Sequence, residues 1–177
     1  MENNKVSSIN ENEVMGFYNL KGSFGKISLR SKIFRSWILH KSAYSSINSS
    51  WVVRLQRLRG VKIGKQCHFS PYVLIDLIYP SMVNIGNNVT IGSNTMIFAH
   101  YNPTSNLFLK ENGYPREVKP VTIDDGAVIG PGSIITMGTT IGKNSIIGAG
   151  SVVSNTIPDF SVALGNPARV IKKIQEK

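Results

Sequence analysis

Twelve residues of this chain fall on a six-residue ladder: Ile63, Phe69, Ile75; Ile85, Ile91, Ile97; and Ile123, Ile129, Ile135, Ile141, Ile147, Val153. Within each of the three groups the spacing never slips. The residue after a ladder position is often Gly (64, 86, 92, 130, 142, 148), and the one four places on is small or β-branched, as at Cys67, Val73, Thr95, Ala127, Ser133 and Ser151. A period of six does not match the 3.6-residue turn of an α-helix, but it suits short strands joined by tight turns in a solenoid.

Each hexapeptide supplies one flat face, with the ladder residue and the small residue pointing inward and Gly, Asn, Asp or Ser taking the turn. Three faces close one coil of a triangular prism. The spacing therefore predicts an all-β solenoid of about four coils, over 63–80, 85–102, 123–140 and 141–158, stacked at ~4.8 Å. It is interrupted at 81–84 and, at greater length, at about 103–122. The pattern I-G-x-x-[small]-x resembles the hexapeptide-repeat acyltransferases, and that resemblance implies a left-handed parallel β-helix. A structural solenoid with no activity is the competing class, although it has no need of a long polar insertion.

Around this repeat, about 61–160, the chain divides into an N-terminal segment, 1–60, and a C-terminal extension, 161–177. The charge is uneven. Residues 1–60 hold ten Lys/Arg against three Glu, and no acidic residue occurs from Lys21 to Arg59. No nucleic-acid-binding motif accompanies that stretch and its aromatics are not spaced as a stacking platform, so nucleic acid is not an expected partner. Over 47–59 the pattern predicts an amphipathic helix with Ile47, Trp51, Leu55 and Leu58 on one face and Arg54, Arg57 and Arg59 turned elsewhere. Such a helix either covers the open end of the first coil, where an uncapped sheet edge would aggregate, or makes a weak peripheral contact with anionic lipid.

A single cysteine, Cys67, excludes an internal disulfide and suits a reducing cytoplasm. The first twenty residues lack a basic start followed by an apolar run, and no stretch reaches the ~18 apolar residues that span a bilayer. The expected location is cytoplasmic, at the inner face of the membrane if the basic segment touches lipid.

Three histidines are present. His40 lies in the basic segment, where a surface position is expected, and His68 takes an outward repeat position. His100 ends the second coil just before the chain departs into the insertion YNPTSNLFLKENGYPREVKP. In the resembled sugar and antibiotic acetyltransferases a histidine at that junction is the general base, and the resemblance carries this role to His100. The chemistry needs little else: a thioester donor is already activated, so the enzyme must chiefly remove a proton from the attacking hydroxyl. Asp76, a turn residue one coil earlier, is a candidate either to bind acceptor hydroxyls or to orient the imidazole. Tyr101 and Asn102 are candidates for further acceptor contacts. An irregular insertion of about twenty residues is usually a functional loop, and by resemblance it shapes the acceptor pocket.

The C-terminal third, from Thr122 to the G-N-P-A-R stretch at Gly165–Arg169, is the most specific match to the family. By resemblance the Ala149 amide binds a pantetheine carbonyl, Ser154 lies beside coenzyme A, and Arg169 and Lys172 meet its phosphates. Asn155 stands where Lys is frequent, and Pro131, which has no N–H, stands where an amide can approach the acyl group. ARVIKKIQEK reads as a short terminal helix opened by Asn166 and Pro167. The resemblance thus implies acetyl transfer from acetyl-CoA to a sugar hydroxyl, with no metal, in a homotrimer. Transfer to an amino sugar is the alternative with the same base. A γ-type carbonic anhydrase, which needs three zinc-binding imidazoles, is disfavoured by the separation of His68 from His100.

Overall fold

The computed structural model describes residues 2–175. Three helices lead: α1 (Glu2–Phe17), α2 (Gly22–Tyr44) and α3 (Ser49–Arg59). The ladder then forms short strands, β1 (Lys62–Ile63), β2 (His68–Phe69), β3 (Leu74–Ile75), β4 (Val83–Ile85), β5 (Thr90–Ile91) and β6 (Met96–Ile97). The insertion contributes β7 (His100–Tyr101), a short helix α4 (Leu107–Glu111) and β8 (Glu117–Val118). The repeat resumes as β9 (Val121–Ile123), β10 (Val128–Ile129), β11 (Ile134–Ile135), β12 (Thr140–Ile141), β13 (Ile146–Ile147) and β14 (Val152–Val153). A hairpin, β15 (Ser161–Gly165) and β16 (Ala168–Lys173), follows.

Successive repeat strands pass from sheet to sheet and return to the first at every third strand. The sheets run β1-β4-β9-β12, β2-β5-β10-β13 and β3-β6-β11-β14. Pairing within them is parallel, and it joins ladder residue to ladder residue: Ile63, Ile85, Ile123 and Ile141 stack in one column, Ile75, Ile97, Ile135 and Val153 in another. Two- and three-residue strands carry few hydrogen bonds each, so the buried columns dominate stability, at roughly 1.5–3 kcal/mol per enclosed aliphatic side chain. The small fourth residues close the turns. Thr95, Ser133 and Ser151 are buried, and their hydroxyls donate to the carbonyls of Gly92, Gly130 and Gly148 at 2.8, 2.8 and 2.6 Å. At Gly130 a Cβ would stand 2.5 Å from the Ala149 nitrogen of the next coil, so no side chain fits there.

Both insertions leave at the same corner, between the sheet of β3 and the sheet of β1. β4 pairs directly with β9, so the stack closes beneath the longer insertion as though it were absent.

Helix α3 lies against β1 and β2. Its inward face is Val52, Val53, Leu55, Gln56 and Arg59, whereas Ile47, Trp51 and Leu58 are exposed. This corrects the expected stripe. The buried positions do follow helical spacing, but two of them are polar because this face must satisfy the open backbone edge of the first coil. Arg57 donates to the carbonyls of Ile63 and Gly64, Arg59 donates to those of Ile75 and Asp76, and the Ser49 hydroxyl accepts from the Phe69 amide. The three ladder residues of the first coil are thus each capped by a side chain of α3.

The far end is closed differently, and here too the sequence reading is corrected. The segment expected as a terminal helix is strand β16, antiparallel to β15. β15 extends the β13 sheet and would otherwise present an unpaired edge. Val170 and Ile171, β-branched and suited to a strand, lie on the segment that covers it, beyond the turn at Gly165. Arg169 and Lys172 therefore stand on an exposed strand, not on a helix.

Candidate active site

At the corner where the insertions leave, Asp76 follows β3 and its side chain has no exposed surface. One carboxylate oxygen, Oδ1, accepts from the amides of Ile78 and Tyr79 at 3.0 and 2.9 Å, which folds the 77–82 insertion back on itself. The other, Oδ2, accepts from the Ala99 amide at 2.9 Å and from His100 Nδ1 at 2.5 Å. Burial opposes ionisation of Asp76, but the bonds from His100, Tyr79 and Ala99 outweigh it and hold its pKa below the ordinary carboxylate value. An ionised carboxylate only accepts, so Nδ1 of His100 donates to it, and in the neutral ring Nε2 is the acceptor.

His100 is fixed on its other sides as well. It pairs across the ribbon with Val118, and Lys119 N donates to Ala99 O at 3.0 Å, pinning the root of the loop. The imidazole meets the ring of Tyr79 edge-on at 5.0 Å. The His100 side chain remains one-fifth exposed.

Helix α1 and the loop are clasped together beside Tyr79, the residue that packs on this histidine. Glu13 accepts from Lys110 at 2.7 Å and from Arg116 at 2.9 Å, and Arg116 also donates to the Tyr79 hydroxyl at 3.2 Å. Partial burial works against the Glu13 charge, yet the two cations win and its pKa is lowered. Asn10 joins the same cluster, accepting from Lys110 and from Asn102. Next to Tyr79 and Val118 opens a cleft of about 360 Å³, lined also by Glu13, Phe17, Pro115 and Arg116.

Behind Asp76 lies Arg59, buried and held by Gln56 at 2.5 Å and Ser36 at 3.1 Å in addition to the two carbonyls of the first coil. Burial lowers its pKa to about 10, against the pull of Asp76. His40, expected at the surface, is buried beside Arg59. Burial first, and the guanidinium second, push its pKa down to about 4.

The structure joins Asp76 to His100 but leaves Asp76 no free oxygen for an acceptor, which removes the substrate-contact reading of that residue. Tyr101 is exposed on β7, opposite Glu117, and Asn102 is tied to Asn10 and Thr104. Ser154 is exposed on the same edge as Asp76 and His100, three coils or about 14 Å along the stack from Asp76 and two coils from the one that carries His100. Ala149 is exposed at the opposite end of β14, on the next edge, and among the described residues its N–H has no protein acceptor. Arg169 and Lys172 lie beyond both, on β16. A single chain does not gather all eight of these residues. Sequence reading missed Glu13, Tyr79, Lys110, Arg116 and Arg59, whose partners are long-range; only the four extra residues between Ile75 and Ile85 hinted that this corner is special.

Among known proteins, the family model for the bacterial transferase hexapeptide (six repeats) matches residues 120–155. A putative acetyltransferase of Staphylococcus aureus (strain MSSA476) is 35% identical over 143 residues, covering 77% of this chain and 80% of that protein. Of several other relatives the match spans less, from 34% to 62% of their length. A maltose O-acetyltransferase from Clostridium difficile 630 superposes with a TM-score of 0.65 at 31% identity, over 84% of this chain and 89% of that one. A galactoside acetyltransferase in complex with coenzyme A gives 0.62 at 30%, over 83% and 82%. With the six-residue columns in register and the family's repeat running through the closing coils, the chain belongs to the hexapeptide-repeat acetyltransferases.

Proposed function

We propose that this protein transfers an acetyl group from acetyl-CoA to a hydroxyl of a sugar, with His100 as general base and Asp76 as the group that orients it. The observation that carries the reading is the Asp76–His100 contact at the root of the loop, which engages Nδ1 and leaves Nε2, while a cleft opens against its neighbours Tyr79 and Val118. Likeness to proteins named for maltose and galactoside acetylation supports the acceptor class.

In this reading Nε2 accepts the acceptor's hydroxyl proton as its oxygen attacks the thioester carbonyl. The tetrahedral oxyanion then collapses, the C–S bond breaks, and the departing thiolate takes the proton back from the imidazolium. The Asp76 carboxylate stabilises that imidazolium and prevents the ring from turning. An amine in place of the hydroxyl would use the same base, so amino sugars belong in the acceptor panel.

Coenzyme A is held, on this proposal, by the free Ala149 amide, by Ser154, and by Arg169 and Lys172 at its phosphates. Because Ala149 and His100 lie on different edges, a site that uses both is assembled between copies. A left-handed β-helix closed into a homotrimer provides three such clefts. No helix among the described residues is long and apolar enough to cross a membrane, and the proposed location is the cytoplasm.

The test is thiol release from acetyl-CoA, followed with a chromogenic disulfide against mono-, oligo-, nucleotide- and amino sugars. His100→Ala should lose at least ~100-fold in rate, the scale of a general base. Equal rates in the two proteins would remove His100 from the mechanism.

A further inference from the structure

Helix α2 buries Gly25, Leu29, Ser36, His40 and Ala43 against the protein, as its spacing requires. Its opposite face is not the polar surface that such a helix ordinarily turns to water. Phe24 and Ile27 are 89% and 66% exposed, and Phe34, Trp37 and Ile38 are exposed further along. Ile27, Phe34 and Ile38 form a stripe, with Phe24 and Trp37 on its two sides. Five large side chains on one helix face exceed the scattered apolar surface of an ordinary soluble domain.

Cations line both flanks. Lys21, Lys32 and Arg35 run along one side, Lys26, Arg30 and Lys41 along the other. Glu11 pairs with Lys26 and Arg30, but between Glu13 and Asp76 the chain has eleven Lys/Arg and no acidic residue. Lys41 stands 5.5 Å from the Trp37 ring, so a cation and an aromatic edge share the border of the stripe.

We propose that this outward face of α2 docks on the surface of a bilayer containing anionic phospholipid. A second copy of the same face would set cations against cations, whereas lipid phosphates complement both flanks. Phe, Ile and Trp enter the boundary between headgroups and acyl chains while Lys and Arg reach back to the phosphates. The helix lies in the surface plane. Its inner side is keyed to the first coil, where Ser36 donates to Leu77 O at 2.8 Å and Tyr72 N donates to Tyr44 O at 2.6 Å, so the prism is held in one orientation. This face is separate from the segment 47–59 expected to meet lipid, where Ile47, Trp51 and Leu58 are also exposed.

The test is co-sedimentation of the full chain with vesicles of phosphatidylcholine alone or mixed with phosphatidylglycerol, independent of any acetyl transfer. The protein should partition only to the mixed vesicles and less at high salt. Ile27→Glu and Phe34→Glu should each lower partitioning by ~10-fold or more, and Phe34→Ser, which adds no charge, should also weaken it. Sedimentation velocity should give all four proteins the same mass. Failure of the wild type to bind, or equal binding to both vesicle types, would overturn the proposal. So would a change of oligomeric mass in the variants, which would make the face a contact between copies.

Discussion

Asp76 Oδ2 bonds the imidazole of His100 at 2.5 Å and the amide of the preceding residue, Ala99, at 2.9 Å, so one oxygen fixes both the ring and the backbone that carries it. Asp76→Asn keeps the size but puts an amide where two donors converge. The ring is then free to take the wrong tautomer. A loss of ~100-fold or more in kcat is expected, with KM for acetyl-CoA little changed. Unaltered kcat in a folded variant would show that the ring needs no orienting carboxylate.

Acid should unfold the protein in two stages. His40 binds its proton near 6.5 when unfolded and near 4 when folded. Its contribution to stability is therefore complete above 6.5 and is lost as pH falls from 6.5 to 4, by up to roughly 3 kcal/mol. Asp76 is depressed below the ordinary carboxylate value, so its share persists to about pH 4 and disappears below. Melting temperatures measured from pH 8 to 3 should decline over the first window in the wild type, and His40→Gln should flatten that decline.

Arg57 and Arg59 cap the same edge in different surroundings, and their removal should not cost the same. Arg59 is buried and satisfies two carbonyls of the first coil, so Arg59→Met leaves unpaired acceptors and should cost about 3 kcal/mol. Arg57→Ala, at an exposed position, should cost about 1 kcal/mol or less. Urea denaturation of both variants checks the ranking.

Glu13 holds Lys110 and Arg116, whose side chains are mostly buried. Glu13→Gln should loosen the loop from α1. The expected result is a several-fold rise in KM for the sugar with KM for acetyl-CoA unchanged, read by varying each substrate in turn. A rise in both would mean that the cluster supports the whole molecule and not the acceptor side.

The repeat was legible because each ladder position depends only on residues six apart, and a column of Ile leaves a periodic trace. His100 was legible as a candidate by its place at the root of the loop. Its partner was legible only as one of two alternatives, since a turn Asp looks the same whether it faces water or an imidazole. Arg59, Tyr79 and Glu13 act across 16 to 103 residues of sequence, and no local pattern marks them. The C-terminal strand was misread because Asn-Pro followed by Lys-rich apolar residues satisfies the rules for a helix start. What decided it was an unpaired β15 edge, which exists only after the coils have stacked. Along α3 the buried face contains Gln56 and Arg59, which an apolar pattern does not mark.

Because β4 and β9 join beneath the long insertion, the loop from Asn102 to Arg116 hangs from the prism by a two-stranded ribbon and adds no rung to it. Its length and lettering are free to change while the columns on either side keep their register. Natural variation, or a designer, can exchange this one appendage and the short stretch of α1 that clasps it without disturbing the coils. The part that counts in sixes is left untouched, and the two halves of the molecule can evolve at separate rates.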